Sequence, residues 1–274
     1  MRTISINESH CEDQSVNNTY IYKFPNSIDF KNGEAIAVSS ISLFYSWYNI
    51  SSALNNNKLT YTWTSGTTPT THDVVIPDGI YEISSINAYL QFVMIANGHY
   101  LQNASGANTY YIQIVLNPTR YGVQINTFDV PTTLPAGFSN PTSLVLPTNS
   151  FAPVLTIPSQ IHSILGFTAG FQTTTANSYL SSSAPQVNPN SNVLVSIDLI
   201  NNPYSSPSSV AFSFPVSVAI GEQIFTQPTQ LSFNRITPGS YNQLRLTFLN
   251  TQFQPIAIRD PQVSIILVID DKSI

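Results

Sequence analysis

Charged side chains are scarce in this sequence. Lys and Arg number 9, Asp and Glu number 14, and together they make up 8% of 274 residues, against about 25% in typical soluble proteins. The cations are scattered singly and the net charge is −5, so no basic stripe is available to neutralise phosphates. We therefore expect no direct nucleic-acid binding. A polar but nearly uncharged surface is typical of a protein that packs within an assembly.

Cysteine and long apolar runs are also nearly missing. Cys11 is the single cysteine, which excludes an internal disulfide and argues against a disulfide-stapled extracellular fold. Without a base nearby in the sequence, it is expected to be a buried or idle thiol. The longest apolar stretches, such as residues 265–269, are far shorter than the roughly 20 residues that span a bilayer. The first residues lack the apolar core of a signal peptide, so we expect cytosolic synthesis and no membrane span.

Signatures of catalysis and metal binding are not found. The histidines, His10, His72, His99 and His162, are far apart, and none has a second ligand at metal-site spacing. The sequence contains no nucleophile elbow, no phosphate-binding glycine loop and no zinc-protease motif. We therefore predict no catalytic, cofactor-binding or metal-binding residues, no cofactor, and no enzymatic activity.

Two carboxylate pairs could serve as glycosidase-like acids. Asp73 and Asp78 flank the end of a predicted strand, and Asp270 and Asp271 lie near the C-terminus. Acids beside Pro and Gly at strand ends commonly form turns, so the sequence favours a turn for the first pair and a solvated tail for the second.

Trp47 and Trp63, with nearby tyrosines, suggest an alternative in which aromatic rings form a sugar-stacking surface. Aromatic residues within strands pack cores far more often than they hold ligands, so core packing is favoured for both tryptophans.

Alternation of apolar and polar residues dominates the chain and predicts half-buried strands. Asn, Pro, Gly and Asp clusters separate these segments. The predicted strands cover residues 20–24, 34–45, 58–63, 73–76, 110–116, 121–126, 193–199, 210–214, 244–248 and 263–269.

One segment has helical spacing instead. Ile83, Ile86, Leu90 and Val93 recur at intervals of three and four residues, and Gly98 follows where a left-handed cap is expected. We predict one amphipathic helix over residues 82–97 that packs its apolar face on a β-sandwich. A second helical turn is predicted over residues 159–165, with Ser159 as its cap.

About eight to ten strands with one main helix, and no regular alternation of strands and helices, indicate an all-β sandwich or barrel. The favoured fold is a single jelly-roll β-sandwich of antiparallel strands in one domain over residues 1–274. Residues 128–192, rich in Pro, Ser, Thr and Asn, are expected to form long loops.

Several ordered stretches resemble the penton proteins of virophages, Polinton or Maverick elements and polinton-like viruses. They are Ile-Ser-Leu-Phe-Tyr-Ser-Trp-Tyr-Asn-Ile at residues 41–50, the three asparagines at 55–57, Ile-Pro-Asp-Gly-Ile-Tyr-Glu-Ile at 76–83, Ile-Leu-Gly-Phe at 164–167, Asn-Val-Leu-Val at 192–195, Gly-Glu-Gln-Ile at 221–224, and the segment from Asp260-Pro261 through the closing strand at 263–269.

The resemblance implies a structural virion protein, made in the host cytosol, that forms homopentameric vertices of an icosahedral capsid. Its implied partners are copies of itself, a double jelly-roll major capsid protein and other minor capsid proteins. At 274 residues the chain is too short to be that double jelly-roll partner. Two alternatives stay open: a minor capsid or cement protein between capsomers, and a carbohydrate-binding jelly-roll module.

Overall fold

The structure is a computed structural model, which describes residues 1–13, 17–188 and 191–271. It is an all-β protein that divides into two compact units. Unit 1 comprises Met1–Trp47 and Asn190–Ile274, and unit 2 comprises Tyr48–Pro189. The chain thus leaves unit 1 once, builds unit 2, and then returns to complete unit 1.

Within the described residues the chain forms eighteen strands, two α-helices and one 3₁₀ turn. The first part of unit 1 contains β1 (Arg2–Asn7), the 3₁₀ turn (Glu8–His10), β2 (Thr19–Phe30) and β3 (Ala35–Phe44). Unit 2 contains β4 (Lys58–Ser65), β5 (Thr68–Val75), α1 (Ile83–Ala96), β6 (Leu101–Gln102), β7 (Asn108–Thr109), β8 (Ile112–Asn117), β9 (Gly122–Thr127), β10 (Val154–Ile157), α2 (His162–Leu165), β11 (Phe171–Gln172) and β12 (Ser178–Leu180). Unit 1 is completed by β13 (Asn192–Ile197), β14 (Val210–Pro215), β15 (Gln223–Thr226), β16 (Asn234–Arg235), β17 (Gly239–Leu249) and β18 (Ser264–Asp270).

The strand order of unit 1 is that of a jelly roll. One sheet has the order β1-β18-β3-β15, with the short β16 also paired to β3, and the other has the order β14-β13-β17-β2. The eight main strands in chain order are β1, β2, β3, β13, β14, β15, β17 and β18. The first pairs with the eighth, the second with the seventh, the third with the sixth and the fourth with the fifth. This is the pattern of one long antiparallel hairpin rolled into a sandwich, and it confirms the predicted fold.

The core of unit 1 follows from alternation along its strands. On β13, Val193, Val195 and Ile197 are buried, while the residues between them are partly exposed. Val195 lies opposite Phe248 of β17, which makes an edge-to-face contact with Tyr20 at 5.9 Å between ring centroids. Side chains of this size, fully removed from water, each contribute on the order of 2 kcal/mol through burial.

Unit 2 is built from smaller sheets around a separate core. A four-stranded sheet has the order β11-β10-β4-β5, a three-stranded sheet has the order β12-β9-β8, and β6 pairs with β7. Helix α1 packs beside the edge strand β8, where the Asn87 side chain accepts a hydrogen bond from the Ile114 backbone N–H at 2.7 Å. The helix therefore covers one backbone donor of an otherwise open sheet edge.

The main predicted helix is confirmed, with two corrections to its packing. Ile83, Ile86 and Leu90 are buried as expected, but the fourth core residue is Met94, while Val93 is only partly buried. Because 86, 90 and 94 are each four residues apart, the buried stripe stays on one side of the helix. The helix packs within unit 2, so the prediction that it lies on the jelly-roll sandwich is wrong.

The C-terminal end of α1 has the predicted left-handed glycine. Gly98 has φ of 73°, and its N–H donates to the Ile95 carbonyl, while the His99 N–H donates to the Met94 carbonyl at 2.8 Å. These two bonds form a Schellman motif. The second helical turn also exists as α2, but Ile161 precedes it without a side-chain cap, so the proposed Ser159 cap is wrong.

Residues 128–192 contain more structure than long loops. Strands β10, β11 and β12 and helix α2 lie within this stretch, of which residues 189 and 190 fall outside the described ranges. The sequence predicted one domain over residues 1–274, and the structure divides it into two units with separate hydrophobic cores. The jelly-roll strand order belongs to unit 1.

Candidate interaction surface

Two of the four histidines lie together. His72 on β5 and His99 after α1 are in ring contact in unit 2, with 4.7 Å between ring centroids. His10 stacks on Tyr22 in unit 1 and His162 starts α2. Over the described ranges, no three His, Cys, Asp or Glu side chains are grouped so that they could hold a metal ion.

Two of the candidate carboxylates, Asp78 and Asp271, have structural partners. Asp78 accepts hydrogen bonds from the Ser52 backbone N–H at 2.6 Å and from the Ser52 hydroxyl at 3.0 Å, so it orders a turn as the sequence favoured. Asp271 forms ion pairs with Arg2 and with the N-terminal amine, which joins both ends of unit 1. Asp73 is an exposed residue of β5, and Asp270 is the last residue of β18.

The two tryptophans and the cysteine occupy interior or sheltered positions. Trp47 and Trp63 are both buried, so neither belongs to an exposed sugar-stacking surface. Trp47 packs on Tyr45 in unit 1, at 4.5 Å between centroids.

Cys11 is partly buried, and its burial raises the pKa of the thiol. A raised pKa decreases the thiolate fraction and agrees with the idle role expected for this residue.

The surface that stands out in unit 1 is the edge strand β15. Five strands of the described ranges form the edges of the jelly-roll sheets, and four of them carry charge or proline: β1 contains Arg2, β2 contains Lys23, β14 ends in Pro215, and the short β16 contains Arg235. Such residues discourage pairing of an edge with another chain. Strand β15, Gln-Ile-Phe-Thr, contains neither. Its Ile224 points into the core, while Phe225 is 65% exposed.

Other apolar side chains are exposed on either side of β15 along the chain. Ile220 precedes the strand and Phe233 follows it, and both are exposed. We call Ile220, Phe225 and Phe233 the β15 surface. Between residues 216 and 233 the sequence has one charged residue, Glu222. Single exposed apolar residues are ordinary, but several in a segment with one charged residue and an edge strand are typical of a protein contact. Sequence reasoning missed this surface, because β15 is only four residues long.

A polar groove lies next to Phe233. It has a volume of about 350 Å³ and is lined by residues 201–204 and 233–235. Tyr204, in the loop between β13 and β14, is 97% exposed. The Asn202 and Asn234 amides at the groove bond to each other at 3.2 Å, and Asn234 also donates to the Ala211 carbonyl. Much of the amide hydrogen-bonding capacity at this groove is therefore already used within the protein.

Unit 2 has a larger apolar groove of about 560 Å³, which follows the open part of β8. Ile83, Ile114 and Val187 line it together with the exposed Leu116, and Glu82 is its one ionisable residue. The groove has no convergent set of catalytic groups.

Among the helices of the described ranges, none is both long enough and apolar enough to cross a membrane.

Comparison with known proteins gives likenesses among solved structures. No protein-family model matches the sequence, and no curated protein matches it. Among solved structures, the chain is similar to the crystal structure of the selenomethionine-labelled mavirus penton protein. The two share 11% sequence identity, the alignment covers 98% of this chain and 96% of that chain, and the TM-score is 0.48.

Proposed function

We propose that this chain is a structural capsid protein, a penton that closes the fivefold vertices of an icosahedral capsid as a homopentamer. The observation that carries the proposal is the single jelly roll with one unprotected edge, β15, on which Phe225 is exposed. The resemblance of the ordered sequence stretches to penton proteins points to the same role. The proposed role is structural and needs no catalytic residue or cofactor.

Ring closure requires that two different flanks of each copy meet. An uncharged edge with an exposed aromatic residue suits one of these flanks, because it can pair backbone groups and bury apolar area without bringing like charges together. A specific contact should bury on the order of 1,000 Å² or more per interface. With 8% charged residues, the contacts between copies should be largely non-ionic and therefore weakly sensitive to salt.

The partners implied by this role are other copies of the chain, a double jelly-roll major capsid protein in the surrounding faces, and other minor capsid proteins. The rival role in the same setting is a cement protein between capsomers. The number of copies distinguishes the two, since a cement protein is expected to be a dimer or trimer and a penton a pentamer.

Charge insertion on the β15 surface tests the proposal. Phe225→Glu should convert the assembled protein to monomers at the same concentration, because a carboxylate would be buried in the contact. The folding stability should change little, since Phe225 is exposed in the single chain. Mass photometry and thermal melting measure the two effects separately.

The matched control is Phe92→Glu, the same substitution at an exposed phenylalanine on α1 of unit 2. It should leave the oligomer intact. If Phe225→Glu assembles like the parent, or if both variants dissociate equally, β15 is not the contact edge. A parent protein that forms only dimers or trimers would favour the cement role.

A carbohydrate-binding role is the second candidate, and one observation favours it. The ring of Tyr204 is exposed at the rim of the polar groove that it helps to line, and exposed tyrosines can stack on sugar rings. Glycan-array binding that is lost in Tyr204→Ala and kept in Phe92→Ala would support this candidate. If the parent protein binds no glycan on the array, the result would count against a carbohydrate-binding role.

A further inference from the structure

His99 is built into an aromatic cluster in the core of unit 2. It is 6% exposed and stacks on Trp63, with 4.5 Å between ring centroids and 6° between ring planes. Its other ring contacts are edge-to-face, with Tyr61 at 5.7 Å and with His72 at 4.7 Å. Phe151 makes an edge-to-face contact with Trp63 at 5.6 Å between centroids. A buried imidazole in such surroundings has little access to water.

A chain of hydrogen bonds links His99 to Tyr61 and Asn97. The Asn97 amide donates to the Val93 carbonyl and to the Tyr61 hydroxyl oxygen, both at 3.0 Å. Because the hydroxyl oxygen accepts from Asn97, its own proton is free to point at His99 Nδ1, which lies 2.9 Å away. In this arrangement Nδ1 is the acceptor, and the neutral ring carries its proton on Nε2.

The groups that face His99 offer it no counter-charge. Tyr61 on β4 is a neutral donor, and His72 on β5 is itself a base that becomes cationic in acid. Tyr111 packs on Trp63 at 6.0 Å. Asp73 follows His72 on β5 and therefore points to the opposite face of that strand. No Asp or Glu forms a salt bridge with His99 in the described part of the chain.

Stacking on the Trp63 indole would favour an imidazolium, but two effects oppose it. Burial is the larger effect, because it removes the charged ring from water, and the neighbouring His72 adds repulsion. Together they lower the pKa of His99 from 6.5 to about 4. Burial also lowers the pKa of His72. A protonated His99 would lose its acceptor at Nδ1, so the Tyr61 hydroxyl would have to reorient.

We infer that the His72–His99 pair is an acid-sensitive switch, which opens the packing between β4, β5 and the end of α1 when both rings are protonated. Unit 1 has no equivalent, because its one histidine, His10, lies at a partly exposed position. Mild acid should therefore loosen unit 2 while the jelly roll of unit 1 stays folded. The inference does not rest on the proposed capsid role, since it concerns one core within a single chain.

The two tryptophans allow each unit to be followed separately, because Trp47 belongs to unit 1 and Trp63 to unit 2. The experiment titrates Trp63 emission from about pH 8 to about pH 3.5 in a Trp47→Phe background. Trp47 emission in a Trp63→Phe background reports unit 1. The test variant is His99→Gln, whose amide oxygen can still accept from Tyr61 and whose side chain does not titrate. His162→Gln is the matched control.

We expect the Trp63 emission maximum to shift to longer wavelength, as exposure of the indole to water requires, between about pH 6.5 and about pH 4, before any shift at Trp47. His99→Gln should move this transition down by about one pH unit or more, and His162→Gln should leave it in place. An unchanged transition in His99→Gln would overturn the inference. If that variant does not fold, ring-proton NMR of His99 in the Trp47→Phe protein decides. Protonation with no coincident shift of the Trp63 emission maximum to longer wavelength refutes the switch, and a coincident shift supports it.

Discussion

Leu90→Ala provides a direct test of how unit 2 is held together. Leu90 is completely buried on α1 and belongs to the unit 2 core with Ile86 and Met94, one helical turn before and after it. Removing three side-chain carbons there loses their transfer free energy and leaves a cavity that a rigid core fills only in part. Alanine gains a little helix propensity, at most a few tenths of a kcal/mol, which does not offset that loss.

The expected cost follows from the burial. A fully buried leucine changed to alanine loses about 2 to 5 kcal/mol, and we take about 3 kcal/mol for a helix that lies against a single edge strand. Unit 2 spans residues 48–189, which is 142 residues. For a unit of this size, each kcal/mol lowers the melting temperature by about 3 to 4 °C, so Leu90→Ala should melt about 10 °C below the parent.

The assay is thermal melting followed by Trp63 emission in a Trp47→Phe background, which reports unit 2 alone. Phe92→Ala is the control, because Phe92 lies on the same helix and is 60% exposed. Its melting temperature should stay within about 2 °C of the parent. If Leu90→Ala also melts within about 2 °C of the parent, α1 is peripheral and the description of the unit 2 core is incorrect.

Three further predictions concern a glycine, pH and nucleic acid. Gly166→Ala should destabilise unit 2 well beyond the roughly 1–2 kcal/mol of a left-handed alanine, because its Cβ would lie 2.3 Å from the Ser183 carbonyl oxygen. Gly170→Ala, with similar φ and open space around it, should show only the smaller cost in chemical denaturation. The lowered pKa of His99 means that the unfolded chain binds its proton first as pH falls. Unit 2 stability should therefore be full above pH 6.5 and decline towards pH 4, by up to about 3 kcal/mol for this residue, in urea titrations at each pH. Duplex DNA should not bind at physiological salt in fluorescence anisotropy, and a submicromolar affinity with a steep salt dependence would contradict this.

Local patterns predicted most strands and the main helix. Alternation is visible wherever one face of a strand is buried, as on β13 and β17, and the Gly98 cap is encoded within a few residues. Short strands were missed. β10 has four residues between Pro153 and Pro158, and its pairing with β4 joins segments about ninety residues apart. A pairing over that distance has no local signal, so residues 128–192 resembled loops.

The division into two units was also beyond local reasoning. Both units use the same alternating pattern, and only the partner strands show which unit a segment belongs to. The histidine cluster is an intermediate case. The β4–β5 hairpin sets Tyr61 opposite His72, and a register argument could have found that pair. His99 contacts Tyr61 and His72 because of the path that the chain takes after α1. No local sequence pattern predicts that path.

The central claim is that five copies of this chain close a capsid vertex. Single-particle reconstruction of capsids that contain the chain tests it most directly, since it shows both the number of copies and their symmetry axis. We expect five jelly-roll units around the fivefold axis, with the β15 surface in the contact between neighbouring copies. Density for this chain as a dimer or trimer between capsomers, or a fivefold ring in which β15 faces solvent, would contradict it.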